Sequence, residues 1–260
     1  MTFKKFLTGF VSVLALVFLA GTAYASSHET LFGNASYVPG DGGALDRDVQ
    51  LVSDATAAEN FAGVEFEVPD GTTFADLDAL STDFLVESDD ACAGGSPRFS
   101  VAADTNNDGT SDGNIFVYLG NEPNFDCASG VWISSGDQLT SGQTVDTSQL
   151  GGTFYHDYDD AVADFGTADV LGVSLVVDGY WNATATGGDN EQTVLVDNTT
   201  VDDTLYTYHL TQDEAKNQCK NGGWQSMTTE EGDSFRNQGD CVSYFASDGK
   251  SRNNPGRGGN

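Results

Sequence analysis

Positive charge is scarce in this chain: ten Lys and Arg stand against forty Asp and Glu, for a formal net charge of −30 over 260 residues. That excludes a nucleic-acid binder, because phosphate contacts need clustered basic side chains. Methionine is nearly missing, with two residues against thirty-one glycines, a balance of turn-rich β structure rather than helix bundles. The cysteines lack C-x-x-C spacing and a nearby His, so zinc is not their reading. No Walker or Rossmann glycine pattern sits in a strand-to-helix context. Beyond residue 25 no run is apolar enough to span a bilayer. What is present suffices for a core. With 38% hydrophobic and 11% aromatic residues, a wholly disordered acidic chain is excluded as well.

Residues 1–25 read as a cleaved secretory signal. Met1 to Lys5 carries two lysines, and Phe6 to Gly21 is apolar except for Thr8, Gly9 and Ser12. Ala23-Tyr24-Ala25 then supplies the small-x-small cleavage pattern before Ser26. The apolar run of 16 residues is short of the roughly 20 that a spanning helix needs. No cysteine sits at the cleavage point, which argues against a lipoprotein anchor. The mature protein is expected to be extracellular. In an oxidising compartment the four cysteines read as disulfides, with three connectivities open. Cys92–Cys127 and Cys219–Cys241 make the smallest topological demand, since short loops cost least to close.

From residue 26 to 209 the hydrophobic period is two. Val64, Phe66 and Val68 alternate with Glu65 and Glu67, and Phe84 and Val86 alternate with Asp83 and Glu87. Val170 to Val177 is almost continuously apolar, as expected of a strand buried on both faces. Turn clusters such as Pro39-Gly40-Asp41-Gly42-Gly43 and Gly94-Gly95-Ser96-Pro97 separate the runs. The pattern predicts an all-β fold, an antiparallel, jelly-roll-like β-sandwich, with helical turns at 76–80 and 159–165. Residues 210–250 change texture. Thr211-Gln212-Asp213-Glu214 is a capping box opening a helix to about Lys220, and a second helix is expected at 240–246. Cys219–Cys241 would staple them into a small helical hairpin. Residues 251–260 read as a disordered tail.

The stretch Cys219-Lys220-Asn221-Gly222-Gly223-Trp224, followed by Phe235-Arg236-Asn237-Gln238-Gly239-Asp240-Cys241-Val242-Ser243-Tyr244, resembles a tail module of uncharacterised secreted bacterial proteins. Their pattern is C-K-N-G-G-W, then F-K-N-Q-G-x-C-V-S; here Arg236 replaces the lysine. Gly95 to Ser100, Phe116 to Gly120 and Gln192 to Asn198 are similar to the domain that precedes this module. The V-x-V-D-N strand at Val194 to Asn198 also resembles the last strand of jelly-roll carbohydrate-binding modules. The tail module itself implies no activity.

One chemical motif stands out. Asp104, Asn106, Asp108, Thr110 and Asp112 occupy positions 1, 3, 5, 7 and 9 of a calcium loop with Gly109 at position 6. Position 12 is Ile115 and no flanking helix is predicted, so it is not an EF-hand. It reads either as a β-hairpin site for structural Ca²⁺ or as a polar turn. Tyr180 and Trp181 are the candidate ligand-binding aromatics, either exposed to a glycan or packed at a strand end. Catalytic residues are not indicated. His156-Asp157 lacks a nucleophile, and aspartate pairs are unavoidable at this acidity. His28, His156 and His209 read as surface residues.

Three functions remain: a secreted non-catalytic glycan binder, a structural protein self-associating through strand edges, or a polysaccharide hydrolase with an acidic cleft of perturbed carboxylates. Binding and structural roles are favoured over catalysis. The acidity suits high salt or divalent cations, or serves plain solubility. Asn34, Asn182 and Asn198 open glycosylation sequons.

Overall fold

The structure is a computed structural model that describes residues 29–121 and 125–247. The expected signal at 1–25, His28 and the expected tail at 251–260 lie outside the described residues. Two antiparallel sheets account for most of the rest. A five-stranded sheet has the order β1 (Glu29–Gly33), β4 (Ala62–Phe66), β11 (Asp169–Val177), β6 (Arg98–Asp104), β7 (Gly113–Tyr118). A six-stranded sheet has the order β2 (Ala35–Pro39), β3 (Arg47–Asp54), β12 (Glu191–Val201), β5 (Leu80–Val86), β8 (Ile133–Ser134), with β13 (Thr204–Tyr206) paired to β12. A short ladder joins β9 (Thr144–Val145) to β10 (His156–Asp157).

Alternation builds the core. One buried cluster takes Val49 and Leu51 from β3, Phe84 and Val86 from β5, and Val194 and Val196 from β12. It also takes Val64 and Phe66 from β4, Phe99 and Val101 from β6, and Val173, Leu175 and Val177 from β11. Each fully buried Val, Leu or Phe contributes about 1.5–3 kcal/mol relative to exposure. Cys92, bonded to Cys127, is buried in the same cluster.

Two expectations need correction. β11 is not buried on both faces: Val173, Leu175 and Val177 are in the core, Ser174 and Val176 between them are only half-buried, and Leu171, at a β-bulge between Val170 and Gly172, is 46% exposed. Its outward face meets solvent, so the apolar run exceeds what burial required. The turn expected at 76–80 forms earlier, as a 3₁₀ turn at Phe74–Asp76. Phe74 is drawn into the core, and the Asp76 carboxylate accepts the Thr73 hydroxyl at 2.6 Å. α1 (Tyr158–Phe165) is capped by Asp157, whose carboxylate accepts the Asp159 amide at 3.0 Å.

The C-terminal region is helical. Thr211 and Glu214 cap α2 (Gln212–Gln218) reciprocally, the Thr211 amide donating to Glu214 Oε2 at 2.8 Å. A 3₁₀ turn over Lys220–Gln225 follows, and α3 (Gln238–Ala246) closes the described chain. Cys219 and Cys241 are bonded and buried beside Met227, Phe235, Tyr244 and Phe245. Ala44 is buried in this second cluster and Leu45 packs against it, both from the loop between β2 and β3. Among the described residues no helix is long and apolar enough to cross a membrane.

Candidate functional site

The expected calcium loop joins β6 to β7, and its side chains are tied to its own backbone. Asp104 is fully buried and accepts the amides of Asn106 at 3.2 Å and Gly109 at 2.7 Å. Burial pushes the Asp104 carboxyl up, but the loop amides outweigh it and hold the group below the usual carboxylate range. Asp108 Oδ1 accepts the Thr110 amide at 2.9 Å, and Asp112 Oδ2 accepts the Thr105 hydroxyl at 2.6 Å. Asn106 Nδ2 also donates to Asp112. Asn107 and Gly109 take the left-handed conformation that curls the loop. The loop brings all five expected residues into one turn. Among the described residues no group of three or more His, Cys, Asp or Glu is arranged to hold a metal ion.

Tyr180 and Trp181 lie in a 3₁₀ turn after β11, and their environments differ. Tyr180 is half-buried, its amide donating to Ser53 Oγ at 2.9 Å, whereas Trp181 is 61% exposed. Trp181 borders Gly94, where a Cβ would come within 3.0 Å of its ring, and neighbouring Gly95 faces the ring of Tyr118. Tyr118 packs on Phe125 at 4.2 Å between centroids, and Phe125 stacks on Tyr155 at 6.2 Å. Tyr118 also donates its hydroxyl to Asp146, and Arg98 lies 4.9 Å over the adjacent Phe116 ring. The two glycines thus stand between Trp181 and a run of three further rings.

A cleft of about 490 Å³ opens elsewhere, on the outward face of the six-stranded sheet. Its floor follows from strand alternation. Because Val49, Val196 and Phe84 point into the core, Asp48 on β3, Asp197 on β12 and Asp83 on β5 point out. Asp197 is directly opposite Asp83, and the pairing of Val196 with Val49 puts Asp48 beside Asp197 on the other side. Three carboxylates therefore form a row across adjacent strands, with neighbouring Cβ atoms about 5 Å apart. Ser134 of β8 extends the row beyond Asp83. A β-bulge after Asp197 turns Asn198 to φ 46°, and its side-chain amide donates to Asp83 at 3.0 Å.

Residues 40–46 wall the cleft on the β3 side. Asp46 is buried, accepts the Gly42 amide, and holds His209 Nε2 at 2.8 Å. Gly40 has to be glycine here: a Cβ would lie 2.4 Å from Asp46 Oδ2 and 2.9 Å from Asp48 Oδ1. This wall leaves Asp48 only 5% exposed although it faces outward. Burial, then Asp197, Asp46 and Asp41, push the Asp48 carboxyl up to about 7, with no hydrogen bond among the causes. Asp197 is pushed up to about 6, mainly by burial, with the Asn198 amide and His209 pulling down against Asp46 and Asp83. Its Oδ1 is buried without a hydrogen-bond partner among the described residues. Trp132, 38% exposed, stands on the opposite side.

The sequence reading missed this cleft. Its aspartates are far apart in the chain and look like every other acidic residue. The one available cue was the outward phase of Asp83, Asp48 and Asp197 beside inward apolar neighbours. The histidines also differ from expectation. His209 is 54% exposed, as a surface residue should be, but the side chain of His156 is 14% exposed. Its Nδ1 lies 2.9 Å from Thr147 Oγ1, and Phe165 of α1 packs edge-on to its ring.

No protein-family model and no curated protein matches this chain. A solved structure described as an exo-beta-agarase is similar over 70% of this chain, at 14% sequence identity and a TM-score of 0.35. The match spans 24% of that chain.

Proposed function

We propose that this is a secreted, non-catalytic glycan-binding protein built as a jelly-roll-like sandwich of the two sheets. The observation that carries the glycan reading is Trp181, 61% exposed beside Gly94, with the adjoining Gly95 facing Tyr118 of the Tyr118, Phe125 and Tyr155 rings. Aromatic faces present large rigid apolar area at little conformational cost, which suits the C–H faces of pyranose rings. The shared buried cluster supports the sandwich, and the two disulfides suit an oxidising exterior. The tail resemblance points to the same compartment.

Affinity electrophoresis through neutral polysaccharide gels, after a glycan array has chosen the polysaccharide, tests the reading. Trp181→Ala is expected to weaken retention about tenfold or more, with the melting temperature unchanged. Retention equal to wild type overturns it.

The reading also assigns a structural calcium ion to Asp104, Asn106, Asp108, Thr110 and Asp112. Calcium is then expected to raise the melting temperature more than magnesium at equal ionic strength, because magnesium insists on octahedral geometry and keeps its waters. Asp108→Ala should remove that difference. Equal responses to both ions leave the loop a polar turn.

A further inference from the structure

We infer that the cleft on the six-stranded sheet is a separate binding site for a small ligand carrying ammonium groups, held between the Asp48–Asp197–Asp83 row and Trp132. The inference goes beyond the glycan reading and does not rest on it.

Like charges directly opposite one another on neighbouring strands destabilise a sheet, and here two such pairings share the central Asp197. Buried charges are ordinarily paired or coordinated. Asp48 is 95% removed from solvent by its 5% exposure, and no hydrogen bond contributes to its state. Asp197 adds a buried oxygen with no hydrogen-bond partner among the described residues. Among the described residues no Lys or Arg lines the cleft, and the basic ring there, His209, is engaged by Asp46. The row is thus short of both hydrogen-bond donors and positive charge.

A hydroxyl supplies only the donor. An ammonium supplies the charge and three N–H donors together. A metal ion needs its oxygens at 2.3–2.6 Å from a single point, whereas these carboxylates are spread along three strands. Donors distributed along a ligand match that spread better. Trp132 lines the same cleft, where an aromatic ring can attract a cation, and the cleft volume is that of a small-molecule site.

Isothermal titration of the full secreted chain at fixed ionic strength uses two probes, spermidine and the fully deacetylated glucosamine trimer. At least one is expected to bind. Binding of spermidine alone indicates a polyamine, and binding of the trimer alone indicates an amino sugar. Asp48→Asn with Asp197→Asn should weaken the interaction about tenfold or more, the loss expected for charge-assisted contacts. Asp160→Asn with Asp203→Asn makes the same change in net charge at exposed positions away from the row and should leave binding unchanged. Circular dichroism of both double variants confirms the fold.

Equal loss in the two double variants would mean diffuse attraction to an acidic protein and overturns the site. So does equal binding of the N-acetylated trimer. Calcium binding that depends on Asp48 and Asp197, with no amine binding, would assign the row to a metal ion instead.

Discussion

The β region and the C-terminal helical region bury their cores by different means. In the sheets, alternation places one side chain in two inside, and thirty buried residues, most of them from the two sheets, merge into one cluster. Among the described residues the helical region buries Ala215, Cys219, Met227, Phe235, Cys241, Tyr244 and Phe245 of its own, gathered round a disulfide. It completes that cluster with Ala44 and Leu45, borrowed from the loop between β2 and β3. The Leu210 amide donates to the Leu45 carbonyl at 2.8 Å, and Arg47 reaches Gln218 at 3.5 Å. The same loop carries Asp41 and Asp46 into the cleft and leads directly to Asp48. A small helical unit therefore braces the wall of a site whose floor belongs to the sheet.

The comparison is broken most severely from the β side. Phe84→Ala removes a fully buried ring from the centre of the shared cluster. It should cost about 3–5 kcal/mol, a large share of the roughly 5–15 kcal/mol that stabilises a typical domain. Urea unfolding followed by far-UV circular dichroism measures it. A loss below 1 kcal/mol, on the scale of surface substitutions, would mean that Phe84 is not in a close-packed core.

Opening the helical staple comes next. Cys219→Ser with Cys241→Ser frees a loop closed over a sequence separation of 22, worth about 3 kcal/mol by the chain-entropy estimate. Because Ala44 and Leu45 share that cluster, the effect should reach the cleft while the sheets stay folded. Trp132 fluorescence, read in a Trp181→Phe and Trp224→Phe background that leaves Trp132 as the single tryptophan of the chain, should shift with the staple broken. Unchanged Trp132 emission would mean that the helical region does not brace the cleft.

Legibility in the sequence follows the range of the interactions. Strands such as β4 and β5, with Val64 and Phe66 or Phe84 and Val86 inside, announce themselves through local alternation. The Thr211–Glu214 capping box is equally local, and the expected helix forms there. Apolar content alone misleads along β11, because a run of apolar residues shows neither the bulge that exposes Leu171 nor how fully the face carrying Val176 is covered. The cleft is harder still. Asp48, Asp83 and Asp197 become neighbours only through the pairing of β3 and β5 with β12, and register is not written in any one segment. In a chain with forty acidic residues, three that end up lining one cleft carry no mark of their own.

The smallest effect separates the cleft wall from the core by its sign. Asp48 has a carboxyl pushed up to about 7, against an ordinary value near 4 when unfolded. Between those two values the folded protein holds a proton that the unfolded chain has released, so stability falls as pH rises from about 4 to 7. Asp48→Asn keeps the shape and removes the ionisation. The variant should therefore be more stable than wild type at pH 8, by on the order of 1 kcal/mol after solvent screening in an open cleft. The two should converge as pH falls toward 4, where both carry a neutral side chain. Asp197, pushed up to about 6, titrates within the same window, so part of the slope should survive in the single variant and vanish with Asp197→Asn added. Thermal melts at pH 4 to 8 read this directly. A core residue behaves oppositely: Phe84→Ala should lose the same amount at every pH in that range. If Asp48→Asn instead destabilises the protein at pH 8, the carboxylate is held by a donor or cation in solution, and its row is not the unpaired cluster that the sheet register implies.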